Sequence, residues 1–347
     1  MSFVIWEING MSDFRKGNSN DLAALLVELV NKRKDLMTNI KEIKNVAQQT
    51  HILSINSSIE AARVGAAGAG FSVIAREIQE LANKSSNANA HSEHQMNELL
   101  LMINDMAGVR TADIAYDLID KIDRNLFERN CDVQAWATFD LIVDSLTDPS
   151  TTNQNAVNKL LKNICDLYEV YYDVFLANSD GVLVGAANRN NLLGNDVTKR
   201  EWFASVLKGR TNTVSDMYFD ENIGDYTVAY SAPVVAPNGE LLGVISTRFN
   251  WNFIYDIIEK AKVSEKGSVY LVNIQGQVIA SLQREDVFKK DLRDTPVLNN
   301  VIKGEPYGYM IKESSSGQPK TIYGYAHTQG YNAYKGKDWS VIVKEDF

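Results

Sequence analysis

Apolar residues recur at steps of three and four along two stretches that flank a cluster of glycines at Gly65, Gly68 and Gly70. The first stretch runs from Leu22 through Leu29, Leu36 and Ile43 to Ala61 and Val64. The second runs from Phe71 through Ile78 and Leu81 to Leu99, Met102 and Met106. This period predicts two helices that present a continuous seam. The seams mirror each other about the glycines, with Val64 opposite Phe71, Ala61 opposite Ile74 and Leu29 opposite Met106. An antiparallel helical hairpin follows, with arms of roughly 55–65 Å at about 1.5 Å per residue. A phosphate-binding loop is a poor fit to the glycines, because such a loop follows a strand and here a helix precedes it. Glycine instead supplies the backbone freedom and close approach that a tight bend requires. Near the bend, Ile52, Ile55 and Ile59 form a second apolar stripe directed away from the seam. Asn56 lies within this stripe, and Glu60 and Arg63 flank it, three residues apart.

Beyond Met106 the helical period continues through Ile114, Leu118, Ile122, Leu126 and Val133 and closes at Asp148-Pro149. A further helix is predicted over 156–168. Strand patterns follow, and they repeat: VFLANSDGVLVGA at 174–186 aligns without gaps on VYLVNIQGQVIAS at 269–281. Each copy reads as a β-hairpin with an Asn-x-x-Gly turn. The first copy leads through a helix at 199–207 to strands containing MYFD, YTVAYSAPVVA and LLGVISTRF. The second leads through a shorter helical stretch to YGYMIKE, TIYGYAHT and WSVIVKE, and a helix at 251–262 joins the two. The fold class is therefore α+β: a long antiparallel helical hairpin (a coiled coil), a long helix, and two tandem PAS-like modules with antiparallel sheets.

Charge and composition narrow the function. A net charge of −9 argues against a grip on nucleic acid or on an anionic membrane. No apolar run reaches the ~18 residues of a membrane span, and the start of the chain lacks the basic flank of a secretory signal. Cys131 and Cys165 form neither a metal-ligand spacing nor a disulfide framework. A reduced, soluble, cytoplasmic protein is the expectation. His91 and His94 lie three apart on a helix, but no third ligand is near in sequence, so no metal and no cofactor is expected. No nucleophile and base stand in a recognisable arrangement, and the chain is not expected to be an enzyme.

The segment VAQQTHILSINSSIEAARVGAAGAGFSVIAREIQELANKSS resembles the cytoplasmic signalling tip of methyl-accepting chemotaxis proteins. That resemblance implies a hairpin that dimerises into a four-helix bundle, associates as trimers of dimers, and contacts the histidine kinase CheA and the adaptor CheW. It places Ile52, Ile55, Asn56, Ile59, Glu60 and Arg63 on the contact face. The chain departs from the family at Ala66, Ala69 and Gln48, and no Glu/Gln pair in a small-residue setting marks a methylation site. Residues 107–347 resemble the double Cache family, in which two PAS-like modules hang on a long helix. The motifs are Asn178-Ser179-Asp180-Gly181, the Arg-x-Trp-Phe of Arg200, Trp202 and Phe203, the Tyr218-x-Asp220 pair, and the SAPV and NGELLGV strands. In that family the first module holds a small metabolite, which implies a pocket of Arg200, Trp202, Tyr218, Asp220 and Arg248, lined by Phe203 and Tyr230. The amino-acid-binding subset has a tyrosine where this chain has Asn195, and an aspartate near Arg248. An organic anion is accordingly expected in preference to an α-amino acid.

These readings divide the chain into an N-terminal segment (1–20), a signalling hairpin (21–106), connecting helices (107–170) and Cache modules at 171–262 and 263–347. The expected function is that of a chemoreceptor-like transducer. The alternative is a dimeric small-molecule-binding module whose hairpin does not signal.

Overall fold

The computed structural model describes residues 22–264, 266–293, 295, 297, 305–312 and 320–346. The expected N-terminal segment, 1–20, lies outside the described residues, as does most of the helical stretch expected before YGYMIKE. Helix α1 (Leu22–Arg63) ends in a 3-10 turn (Gly65–Gly68), and α2 (Ala69–Trp136) returns alongside it. Arg33 donates to the Met96 carbonyl at 2.9 Å, and Lys44 pairs with Glu93 at 3.6 Å, so the two helices run antiparallel. At the bend, a Cβ on Gly68 would lie 2.0 Å from the Ala61 carbonyl oxygen, so only glycine permits the approach.

The second arm's seam differs from expectation, while Ala47, Ser54 and Ala61 of the first are buried as expected. The helices meet through small residues, with Ala47, Ser54 and Ala61 buried on α1 and Ala75, Ala82 and Asn89 buried on α2. Phe71, Ile74 and Leu81, expected in the seam, are exposed. Small side chains let the two backbones close, and that rotates the bulkier neighbours outward. Helix α2 runs through residue 106 unbroken for 68 residues, so the helical period that continues beyond Met106 belongs to the returning arm.

Helices α3 (Asp140–Thr147) and α4 (Thr151–Tyr168) follow, the latter capped by Ser150, whose side chain accepts from the Asn153 amide. Among the described residues two antiparallel sheets come next. The first comprises β1 (Tyr171–Asn178), β2 (Leu183–Ala186), β3 (Thr213–Val214), β4 (Tyr218–Asp220), β5 (Asp225–Val228), β6 (Tyr230–Val235) and β7 (Leu241–Asn250). Its main path is β2-β1-β7-β5-β4, with β6 also on β7 and β3 on β6. Helix α5 (Glu201–Gly209) lies between β2 and β3. Helix α6 (Asn252–Ile258) leads to β8 (Ser268–Val272), β9 (Val278–Ser281), β10 (Tyr307–Lys312), β11 (Thr321–His327) and β12 (Ser340–Asp346), ordered β10-β11-β12-β8-β9.

The internal repeat persists in three dimensions. Gly181 and Gly276 both turn at positive φ, near 80°, and each donates to the Asn three residues earlier. Bridges Val182↔Asp196 and Gln277↔Asp291 keep the same spacing. The main core lies where α2, α3, α4 and α6 pack on both sheets, around Ile119, Leu126, Tyr230, Trp251 and Trp339. Gly324 of β11 abuts the α2 backbone at Thr111, and Gly108 of α2 receives the Tyr309 ring. The long helix is thus seated directly on the second sheet.

Candidate functional site

A cavity of about 540 Å³ opens on the first sheet, within the range of small-molecule sites. Its floor carries Phe175 of β1, Leu183 of β2 and Arg248 of β7. Its sides come from the 192–199 loop, the first residues of α5, Ser215, Tyr218, Asp220 and Asn222. The extended backbone of Arg200 starts α5, and its carbonyl accepts from the Phe203 and Ala204 amides. Trp202 then points back over the sheet and is 6% exposed. Arg200 itself is exposed, and among the described residues its guanidinium has no hydrogen bond or ion pair.

Arg248 is 2% exposed, and its surroundings are built for a guanidinium. Its Nε donates to Asp220 Oδ2 at 3.1 Å, and Nη1 donates to Ser246 Oγ and the Thr247 carbonyl. The Phe175 and Trp202 rings each lie 4.8 Å from its central carbon, an arrangement that favours a planar cation. Nη2 makes no hydrogen bond among the described residues. Asp220 accepts from Arg248, from the Tyr218 hydroxyl at 3.4 Å and from the Asn222 amide at 2.9 Å. Burial pushes the Tyr218 phenol above its ordinary value, and the Arg248 charge only partly opposes this. Tyr218 therefore stays a hydrogen-bond donor.

Of the seven residues proposed from sequence, Arg200, Trp202, Tyr218, Asp220 and Arg248 line this cavity. Two do not. Phe203 is wholly buried one position beyond Trp202, on the side of α5 that packs against Gly181, Val206 and Ala229. Tyr230 is wholly buried in the main core, edge-on to Phe249, because alternation along β6 turns it to the other face of the sheet. Phe175, Leu183 and Ser215 were missed as lining. The gapless repeat could have exposed the first two, which lie on the two strands of its first copy. Ninety-five residues on from Phe175 and Asn195, Lys290 donates to the Tyr270 hydroxyl at 2.7 Å.

The six tip residues Ile52, Ile55, Asn56, Ile59, Glu60 and Arg63 are all exposed along one face of α1, over about three turns. Glu60 and Arg63 pair locally at 3.7 Å. Among the described residues no group of three metal-binding side chains occurs, and no helix is long and apolar enough to cross a membrane.

The fold carries two antiparallel sheets on one long helix, with the cavity on the first sheet. The family model described as Cache domain, dCache_1, matches residues 16–346, and the chain belongs to that family. The match reaches well to the N-terminal side of residue 107, where the resemblance in sequence begins. McpC, a methyl-accepting chemotaxis protein of Bacillus subtilis, is 40% identical over 67 residues, which are 19% of this chain and 10% of that protein. McpB of the same organism is 37% identical over 81 residues, 23% of this chain and 12% of its own length. The matched segment thus spans about a tenth of these relatives. In fold, the chain is similar to the ligand-binding domain of the Pseudomonas aeruginosa amino acid chemoreceptor PctC in complex with GABA. That match has a TM-score of 0.52 at 20% identity and covers 67% of this chain and 97% of the other. It is also similar to the ligand-binding domain of Mlp24 with asparagine, with a TM-score of 0.51 at 17% identity over 69% and 92% of the two chains.

Proposed function

We propose that the first-sheet cavity binds a small organic anion and that the chain is a chemoreceptor-like transducer. The observation that carries the ligand reading is the pair of open donors in one cavity, the free Arg200 guanidinium and Nη2 of Arg248. Arginine recognises carboxylates in a planar, bidentate way, and the start of α5 adds favourable backbone polarity. Asp220 neutralises much of the Arg248 charge, so Arg200 is the principal electrostatic anchor. A zwitterionic amino acid is the second reading. It is favoured by the Asp220 carboxylate at the cavity wall, which could accept an ammonium group.

Thermal denaturation of the intact chain with succinate, glutarate, citrate, asparagine, GABA and purines tests both readings, because a ligand selective for the folded state raises stability. The first reading expects a rise of several degrees with one of the carboxylates, lost in Arg200→Ala. A rise only with asparagine or GABA selects the second, and no rise with any probe rejects both.

The two-helix arm is proposed to contact CheA and CheW through the exposed Ile52, Ile55, Asn56, Ile59, Glu60 and Arg63. Leu22, Leu29, Leu36 and Ile43 stand exposed at seven-residue intervals along α1. Such a stripe is the seam of a coiled coil and supports pairing with a second copy, and trimers of such dimers. Capture of CheA and CheW by the intact protein, lost in Glu60→Ala, is expected. Ligand binding without capture would leave the dimeric binding module as the function.

A further inference from the structure

Residues Thr328–Trp339 join β11 to β12, and each end of this connection grips a different part of the molecule. At one end, Trp339 Nε1 donates to Asp216 Oδ1 at 2.9 Å, and Lys337 Nζ donates to the Val214 carbonyl at 3.0 Å. These acceptors alternate with Ser215 and precede Tyr218, both of which line the cavity. At the other end, Asp123 of α2, 3% exposed, accepts from the Thr328 hydroxyl at 2.6 Å and from the Gly330 and Gln329 amides at 2.9 and 3.2 Å.

The segment between is braced against bending. Tyr331 and Tyr334 exchange backbone hydrogen bonds, and the Thr328 amide donates to the Trp339 carbonyl. Gly330 and Gly336 adopt positive φ, and a Cβ at either would lie within 2.2 Å of the segment's own atoms. The Tyr331 ring lies under Arg124 and edge-on to Phe127 of α2, and the Trp339 ring stands perpendicular to Trp251, three residues after Arg248.

We propose that residues 328–339 form a rigid latch that couples the cavity wall at 214–218 to the long helix at Asp123, so that a displacement of one is felt by the other. The second module then serves as the relay between the first module's cavity and α2. This goes beyond the ligand reading, and it can be tested with no ligand present.

The experiment is amide hydrogen exchange on the full chain. Asp123→Asn keeps the side-chain volume but offers one acceptor oxygen in place of two, and it touches nothing in the wall. The latch expects exchange at residues 213–218 to rise about fivefold, the equivalent of one net hydrogen bond. Trp339→Phe keeps a ring against Trp251 but loses the bond to Asp216, and it is expected to raise exchange at Gln329 and Gly330 similarly. Amides of α1 at 40–60 serve as the control and should not change. Effects confined to the mutated end in both variants would overturn the proposal. A uniform rise that includes the control overturns it too, because the segment would then contribute only to overall stability.

Discussion

Breaking the Asp220–Arg248 pair tests the electrostatic account of the cavity. Both partners are nearly excluded from water, with side chains 7% and 2% exposed. In such a setting, removing one partner leaves an uncompensated buried charge and costs about 3–5 kcal/mol, whereas removing both can be nearly neutral. Arg248→Met leaves the Asp220 carboxylate with only the Tyr218 hydroxyl and the Asn222 amide. It also deletes the cation between Phe175 and Trp202, so about 4 kcal/mol is expected. Asp220→Asn leaves the guanidinium with Ser246, Thr247 and both rings, and about 3 kcal/mol is expected. The double variant should fall short of their sum by about 2–3 kcal/mol, within the range measured for directly interacting residues. Urea unfolding at pH 7, followed by tryptophan fluorescence with Trp202 beside the guanidinium, gives all four corners of the cycle. The coupling should barely change between low and high salt, because a buried pair is screened much less than an exposed one. Single costs below about 1 kcal/mol, or additivity within about 0.5 kcal/mol, would refute the picture of a desolvated, mutually neutralising pair.

Two further outcomes test the packing and the thiols. Gly324→Ala places a Cβ about 2.2 Å from the α2 backbone at Thr111, so α2 must lift from β11. A loss of about 1–3 kcal/mol in urea unfolding is expected, and a change within about 0.5 kcal/mol would show that the contact yields easily. Cys165 is buried, and desolvation pushes its thiol up to about 12, while Cys131 is exposed, its thiol raised by partial burial and by Asp132. A raised thiol pKa lowers the thiolate fraction at any given pH, so a disulfide reagent at pH 8 should titrate Cys131 slowly, faster as pH rises, and Cys165 only after unfolding. Two equivalents released at one rate from the folded chain would contradict that difference in burial.

What the sequence disclosed depended on whether the information was local. The repeat was legible because each hairpin is set by its own turn: Gly181 and Gly276 supply the positive φ, and the Asn side chains close the loops. The bend was legible for the same reason. On the first arm the small seam positions Ala47, Ser54 and Ala61 are buried, but the second arm's contact lies one residue on from its expected seam, at Ala75, Ala82 and Asn89, because periodicity ranks positions by hydrophobicity, whereas the observed contact is set by how closely two backbones approach, which favours alanine and serine. The bulky residues displaced from that seam are those that a second copy could cover. At the site, Arg200, Trp202, Tyr218, Asp220 and Arg248 could be named from motifs, but the neutralisation of Arg248 by Asp220 joins residues on β7 and β4, which are not neighbours in the sheet order. No spacing encodes it. Tyr230 illustrates the same limit at the scale of one residue. Tyr230, Ser231 and Ala232 are all buried at the start of β6, so hydrophobic alternation gave no face to choose. The ring's position in the core follows only from β6 lying on β7, with α2 packed behind it. That packing also decides the chemistry, since a tyrosine on the cavity side would have added a donor beside Arg200. With Tyr230 turned away, the cavity presents Arg200, the one open nitrogen of Arg248, and the Trp202 and Phe175 side chains.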